Sequence, residues 1–260
     1  MKIDIEVLKG IVKQAGEMAL EKQSHLKVDY KSDQSLVTEA DKSIELFIED
    51  QLNQFYPGLA FVGEEYGWRG SENVPVWACD PIDGTTNYVF GLPFWGISIG
   101  LIEDGHPTAG VFYMPALKEL YWATKGGGAW MNGASLHIHD HSSIHVEDTL
   151  CLTSNALKVL NTEDVSCRLR SLGSIAGELV FTASSRLRGV VGLYEGIVDM
   201  AAALCLCFEA GCEIRHLHDG KYLDLMELLK KQKTDEPFVV APPQLMQTLL
   251  NTIHVVRELK

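Results

Sequence analysis

The chain has 260 residues, a formal net charge of −13, 46% hydrophobic residues and 22% charged residues. That composition is ordinary for a globular protein, and its acidity excludes a surface built to grip nucleic acid or an anionic membrane. No apolar run approaches the ~20 residues that span a bilayer, and the opening Met-Lys-Ile-Asp-Ile-Glu lacks a signal-peptide core, so a cytoplasmic enzyme is expected. The six cysteines form no C-x-x-C pair and read as reduced, buried thiols.

Residues 3–20 carry apolar side chains at 3, 7, 8, 11, 12, 15, 18 and 19, the spacing of one helical face. Residues 27–37 are polar and aperiodic and read as a loop. A second helix starts near Thr38, where Thr38-x-x-Asp41 forms a capping box ahead of Ile44, Phe47, Ile48, Leu52 and Phe55. It stops at Tyr56-Pro57-Gly58. A short strand over 59–63 leads into Glu64-Glu65, and the apolar run 74–79 reads as a buried strand. Strands over 95–102, 108–113 and 119–124 then form a meander, and Asn132-Gly133 signals a hairpin.

The second half alternates. Strands are expected over 149–153, 190–194, 213–216 and 238–241. Helices are expected over 175–184, over 200–210 with Asp199 at the N-cap, and over 244–258. The whole is read as one domain, 1–260, with a lobe of helices on an antiparallel sheet to about 146 and an α/β lobe from 147.

The chemistry centres on Asp80-Pro81-Ile82-Asp83-Gly84-Thr85-Thr86 at the end of the 74–79 strand. Carboxylate oxygens suit Mg²⁺. Pro81 restricts the backbone and Gly84 frees it, so the N–H groups of Gly84, Thr85 and Thr86 can face a phosphate. Glu64 and Asp199 also sit beside apolar segments, where an unpaired carboxylate is costly. Converging, these acids would need about two divalent ions, enough to clamp both oxygens of a phosphoryl displacement.

Each acid also has a plainer reading. Asp199 serves equally as an N-cap, Glu64-Glu65 as a solvated turn, and Asp41 as a capping-box residue. Asp80 and Asp83 are common turn formers, but a turn needs neither a second aspartate nor paired threonines. Two features are set aside. His137, His139, His141 and His145 lack a fixed fourth ligand for zinc. Gly126-Gly127-Gly128 lacks the Gly-Lys-Ser/Thr ending of a P-loop and reads as a loop between strands.

The chain resembles the inositol monophosphatase family of metal-dependent, lithium-sensitive phosphatases. The resemblance runs through most of the chain, on Leu36-Val37-Thr38-Glu39-Ala40-Asp41, Gly63-Glu64-Glu65, Asp80 through Tyr88, Gly91-Leu92-Pro93-Phe94, and Asp199-Met200-Ala201-Ala202 with Glu209-Ala210-Gly211. It implies a layered α/β/α/β sandwich, α+β or α/β in class, and usually a homodimer. It also implies that Glu64, Asp80 and the carbonyl of Ile82 hold one Mg²⁺, that Asp80, Asp83 and Asp199 hold a second, and that a third leans on Glu64. Thr85, paired with Asp41, would help Glu64 position and deprotonate a water. Gly84 and Thr85 would hold phosphate oxygens, with Asp83, Asp199 and the turn Gly173-Ser174-Ile175 facing the substrate. Residues 31–36 would form a loop over the metals.

Three positions depart from the family pattern. Val198 stands where tryptophan is common, Cys212 where a second glycine is common, and Gly192 where inositol-specific members carry a substrate-binding Glu. Glu195 fills that role only with a gap in the loop. The expected activity is Mg²⁺-dependent hydrolysis of inositol monophosphate or a similar small polyol phosphate. Fructose bisphosphate, another sugar phosphate or a bisphosphate nucleotide are alternatives with the same chemistry, and a regulatory homodimer binding a protein partner is an alternative of another class.

Overall fold

A computed structural model describes residues 3–31, 35–71, 74–138 and 143–256. Helix α1 (Ile5–Gln23) starts at Asp4, whose side chain accepts the Glu6 N–H, and buries Leu8, Ile11, Val12, Ala15 and Ala19. Where a loop was expected, β1 (Val28–Tyr30) pairs antiparallel with β2 (Leu36–Thr38). Their pairing is backbone-made, so the side chains carry no period that announces it. Thr38 then caps α2 (Glu39–Phe55) through the expected box with Asp41.

Strands β3 (Ala60–Gly63), β4 (Gly67–Arg69) and β5 (Val76–Asp83) lead to a single helical turn, α3 (Thr85–Val89). The meander follows as β6 (Gly96–Glu103), β7 (His106–Met114), β8 (Glu119–Thr124), β9 (Ala129–Met131) and β10 (Ala134–Leu136). These strands form an eight-stranded sheet in the order β10-β9-β8-β7-β6-β5-β3-β4. The pair β3–β5 is parallel and the others are antiparallel.

The second half runs β11 (Thr149–Leu152), α4 (Ala156–Val159), β12 (Leu160–Asn161), β13 (Arg168–Arg170), α5 (Ile175–Ala183), β14 (Val190–Gly192) and α6 (Ile197–Ala210). It closes with β15 (Glu213–His216), α7 (Leu225–Lys231), β16 (Phe238–Ala241), α8 (Pro243–Thr252) and β17 (His254–Val255). Five strands form a mixed sheet in the order β13-β11-β14-β16-β15. The closing helix ends earlier than its periodicity predicts, because His254 and Val255 pair with β12 instead. Long-range pairing overrides local propensity there, and residues 257 and 258 of the expected helix lie outside the described ones.

Alternation along the strands builds the layers. On β5, Trp77 and Cys79 pack with α1 and α2, and Val76 and Ala78 pack with α5 and α6. The helices α5 and α6 are covered in turn by Val190, Ile214, Phe238 and Val240 of the smaller sheet, whose other face meets Met246 and Leu249 of α8. The result is the expected α/β/α/β sandwich, with α8 outside it. The six cysteines are buried and unpaired, as expected. Among the described residues no helix is long and apolar enough to cross a membrane.

Two glycines set how closely α6 approaches the large sheet. A Cβ on Gly100 would lie 2.6 Å from the Ala202 nitrogen, and one on Gly110 2.3 Å from the Ala202 carbonyl oxygen. Both contacts are with helix backbone, which cannot move aside. Gly110→Ala is therefore expected to cost about 1–3 kcal/mol in denaturant unfolding. Gly10→Ala, on helix α1 with nothing within 4 Å of its Cβ, should instead add up to about 1 kcal/mol.

Candidate active site

The cleft lies where β5 loses its ladder. The β5–β6 pairing slips between Asp80 and Asp83, as it must where Pro81 offers no N–H. Asp80 shares the strand face of Val76 and Ala78, toward α6. Its Oδ1 accepts the Ile82 N–H at 2.9 Å. Gly84 then takes φ +86°, with Phe94 O 2.9 Å from where a Cβ would stand, and the chain enters α3.

Oxygens of Glu64, Asp80 and Asp199 lie within 4.8 Å of one another. With Asp83, Ile82, Gly84, Thr85, Ile175 and Glu195 these residues line one cleft of about 420 Å³. Asp41 does not line it but stands behind Thr85, with the Thr85 hydroxyl 3.3 Å from Asp41 Oδ1 and 3.1 Å from the Ile82 carbonyl. Asp41 also caps α2, accepting the Thr38 N–H at 2.8 Å and the Thr38 hydroxyl at 2.6 Å. The capping-box role and the contact with Thr85 therefore coexist in one carboxylate.

Asp83 stands beside the group of three. Its Oδ2 accepts the Ser174 hydroxyl and, at 3.1 Å, the Ala176 N–H at the start of α5. Asp199 is not the N-cap of α6. Gly196 holds that position, and Asp199 sits in the first turn, its Oδ2 accepting the Gly196 N–H at 3.0 Å. The helix begins three residues earlier than the apolar run suggests, because Ile197 is tied to Gln232 O by its own N–H at 2.9 Å. Gly192 lies in β14, where a Cβ would stand 2.4 Å from the Phe238 ring, so no side chain fits there. Glu195, three residues on, lines the cleft.

Several residues in or behind the cleft went unread in the sequence. Glu45 is fully buried in α2, four residues after Asp41, and accepts the N–H groups of Glu65 at 2.7 Å and Tyr66 at 3.0 Å. It thus sets the turn carrying Glu64. Lys31 reaches Glu64 at 2.9 Å and Glu65 at 2.6 Å. Glu178 accepts the N–H groups of Leu172 at 2.7 Å and Gly173 at 3.2 Å, and Asn87 donates to Phe94 O and Leu172 O at 2.6 and 2.7 Å. The signal available for Glu45 and Glu178 was an acid inside an apolar helical face. The glycine run 126–128 is a loop between β8 and β9, and Gly126 and Gly128 donate to Glu209 at 2.8 Å each. His137 and His145 join no metal-sized group among the described residues, and His139 and His141 lie outside those residues.

The electrostatics follow from crowding. Burial, then repulsion by Glu64, Asp199 and Asp83, holds the Asp80 carboxyl well above its usual range. Burial, then Glu64, Asp83 and Glu195, does the same for Asp199. Burial pushes Asp83 up to about 7, against donation from Ser174 and the α5 backbone. A hard, all-oxygen donor set that repels itself fits a divalent cation, which would neutralise it.

The sequence model of the inositol monophosphatase family matches residues 2–255. The chain belongs to the inositol monophosphatase family. Members of this family are metal-dependent phosphatases that hydrolyse phosphate monoesters. The chain is 40% identical over 225 residues to inositol monophosphatase 3 of Solanum lycopersicum, covering 80% of this chain and 83% of that one. It is 30% identical over 223 residues to a fructose-1,6-bisphosphatase/inositol-1-monophosphatase of Aquifex aeolicus, covering 81% and 84%. Its fold matches the extragenic suppressor protein suhB of Bartonella henselae with a TM-score of 0.82 at 25% identity, over 95% of this chain and 97% of that one. The family fold is thus the layered sandwich described above.

An acid whose folded pKa exceeds its unfolded one takes up protons on folding, so its contribution to stability falls as pH rises between the two values. For Asp83 that window runs from 3.8 to about 7. A bound cation removes the penalty. The gain in melting temperature from saturating divalent cation over chelator should therefore grow across that window, and a gain that shrinks with pH would contradict the assignment.

Proposed function

We propose that this chain is a Mg²⁺-dependent phosphomonoesterase that hydrolyses inositol monophosphate or a similar small polyol phosphate. The observation that carries the proposal is the convergence of Glu64, Asp80 and Asp199 oxygens within 4.8 Å at the mouth of the Gly84–Thr85 turn. Glu64, Asp80 and the Ile82 carbonyl would hold one ion, Asp80, Asp83 and Asp199 a second, and Glu64 would lean on a third. When bound, such ions neutralise phosphate charge and make water more acidic.

The chain's own groups do the rest. The N–H groups of Gly84 and Thr85 hold phosphate oxygens, aided by the backbone turn that Gly84 permits. Thr85, anchored on Asp41, orients the attacking water, and Glu64 accepts its proton. Lys31 pairs with both Glu64 and Glu65 and keeps the two carboxylates in place. Asp83, Asp199, Ile175 and Glu195 face the leaving alcohol, with the Glu195 backbone fixed by Thr234, whose N–H donates to Glu195 O at 3.0 Å and whose hydroxyl accepts the Glu195 N–H at 3.0 Å.

None of the described residues lining the cleft is Lys, Arg or His, and Lys31 beside it is taken up by Glu64 and Glu65. That supports a polyol monophosphate, whose single anionic group sits at the cations, over fructose bisphosphate or a bisphosphate nucleotide. We take the chain as one domain, working in the cytoplasm as a homodimer, the arrangement its family resemblance implies.

A panel of phosphate esters assayed with Mg²⁺ and with chelator tests this reading. Phosphate should be released from inositol monophosphate with Mg²⁺ and not with chelator. Asp83→Asn removes a charge without changing size and should lower kcat at least about a hundredfold at saturating Mg²⁺. Retention of most activity would remove Asp83 from the site.

A further inference from the structure

A second cluster of ligating side chains lies outside the cleft, at the end of β15. The backbone there is tightly fixed. His216 N–H donates to Lys221 O at 2.8 Å, Gly220 N–H to His216 O at 3.0 Å, and Leu217 N–H to Pro237 O at 2.8 Å. This turn brings His216 and His218 against Glu236, two residues before the β16 partner Phe238 that pairs with His216.

Ligand atoms of His216, His218 and Glu236 all lie within 4.8 Å of one another. Glu236 Oε2 is 3.5 Å from His216 Nδ1 and 3.1 Å from His218 Nδ1. Tetrahedral coordination with bonds of about 2.0–2.1 Å places neighbouring ligand atoms about 3.3 Å apart, so these two edges already have the right length. His216 Nδ1 is shielded from solvent and has no hydrogen-bond partner, although it faces the carboxylate. The other nitrogen of His218, Nε2, is 3.5 Å from Asp219 Oδ2, and Lys221 holds that same oxygen at 2.7 Å. A carboxylate on the far side of an imidazole is the usual support for a metal-ligating histidine.

We propose that His216, His218 and Glu236 form a site for a borderline divalent transition cation of the zinc class, separate from the carboxylate cleft. Two imidazoles and one carboxylate suit zinc, whereas the all-oxygen cleft suits a hard cation. Three protein ligands leave a fourth position open to water or another ligand. His218 and Glu236 are each about half exposed, so the ion has a path of entry. A cation there cross-links β15 to the segment that continues from Lys233 and Thr234, the residues paired with Gly196 and Glu195 at the rim of the cleft.

The test is calorimetric titration of the full chain with Zn²⁺ in excess Mg²⁺, which keeps the carboxylate cleft filled. Visible absorption of the Co²⁺-loaded protein, which responds to nitrogen ligation, provides a second readout. The wild-type chain should bind one Zn²⁺ that both His218→Ala and Glu236→Gln weaken at least about tenfold, and Asp219→Asn should weaken it by about tenfold through its hold on the imidazole. Circular dichroism confirms that the variants fold, and the wild-type titration stands by itself if one does not. Absence of Zn²⁺ binding by the wild type, or equal stoichiometry and affinity in the wild type and both ligand variants, would overturn the proposal.

Discussion

Like charges brought together in a poorly solvated cleft repel one another, and much of this fold can be understood as the means of holding them there. Glu64, Asp80, Asp83 and Asp199 come from three places in the chain, Asp80 and Asp83 together from the end of β5. Alone, each would shed its charge by taking up a proton, and the raised pKa values of Asp80, Asp83 and Asp199 express that tendency. What opposes it is a set of donors built into the backbone. The Ile82 N–H meets Asp80, the Ala176 N–H meets Asp83, and the Gly196 N–H meets Asp199. These bonds orient one oxygen of each carboxylate and leave the remaining capacity for a cation.

The layers serve the same end. Strand β5 is an interior strand of the large sheet, and its ladder is interrupted at Pro81, where the chain turns toward α3. Helix α6 delivers Asp199 to the same place because Gly100 and Gly110 remove the side chains that would keep it away. Helix α2 contributes twice from one face, with Asp41 behind Thr85 and Glu45 behind the Glu64 turn. Helix α5 contributes Ser174 and Ala176 to Asp83 and Glu178 to the loop before it. Rigid elements therefore place each acid, as a reaction sensitive to sub-ångström geometry requires.

Much of this was legible in the residues. The capping box at Thr38 and Asp41 located α2, and the meander was marked by its turns. The run from Asp80 to Thr86, which lines the cleft, stood out because no ordinary turn needs two aspartates and two threonines. The misreadings share a cause. The β1–β2 hairpin and the long-range β12–β17 pair are short and held by backbone bonds, and such bonds leave no period in the side chains. The start of α6 was misplaced because Gly196 and Ile197 are fixed by partners near Gln232 and Lys233, thirty-odd residues away.

By itself, the sequence determined the chemical type of the site. Carboxylates at strand and helix ends beside a Gly-Thr-Thr turn ask for hard cations and a phosphate, whatever their arrangement. Only the tertiary structure decided which side chains stand together. It placed Gly192 against the Phe238 ring, brought Glu195 and Glu178 to the cleft, set Glu45 behind the Glu64 turn, and brought His216 and His218 together with Glu236. Ligand type is a property of a residue, but a ligand set is a property of distances. Those distances are fixed by sheet register, helix approach and turns that join residues far apart in the chain.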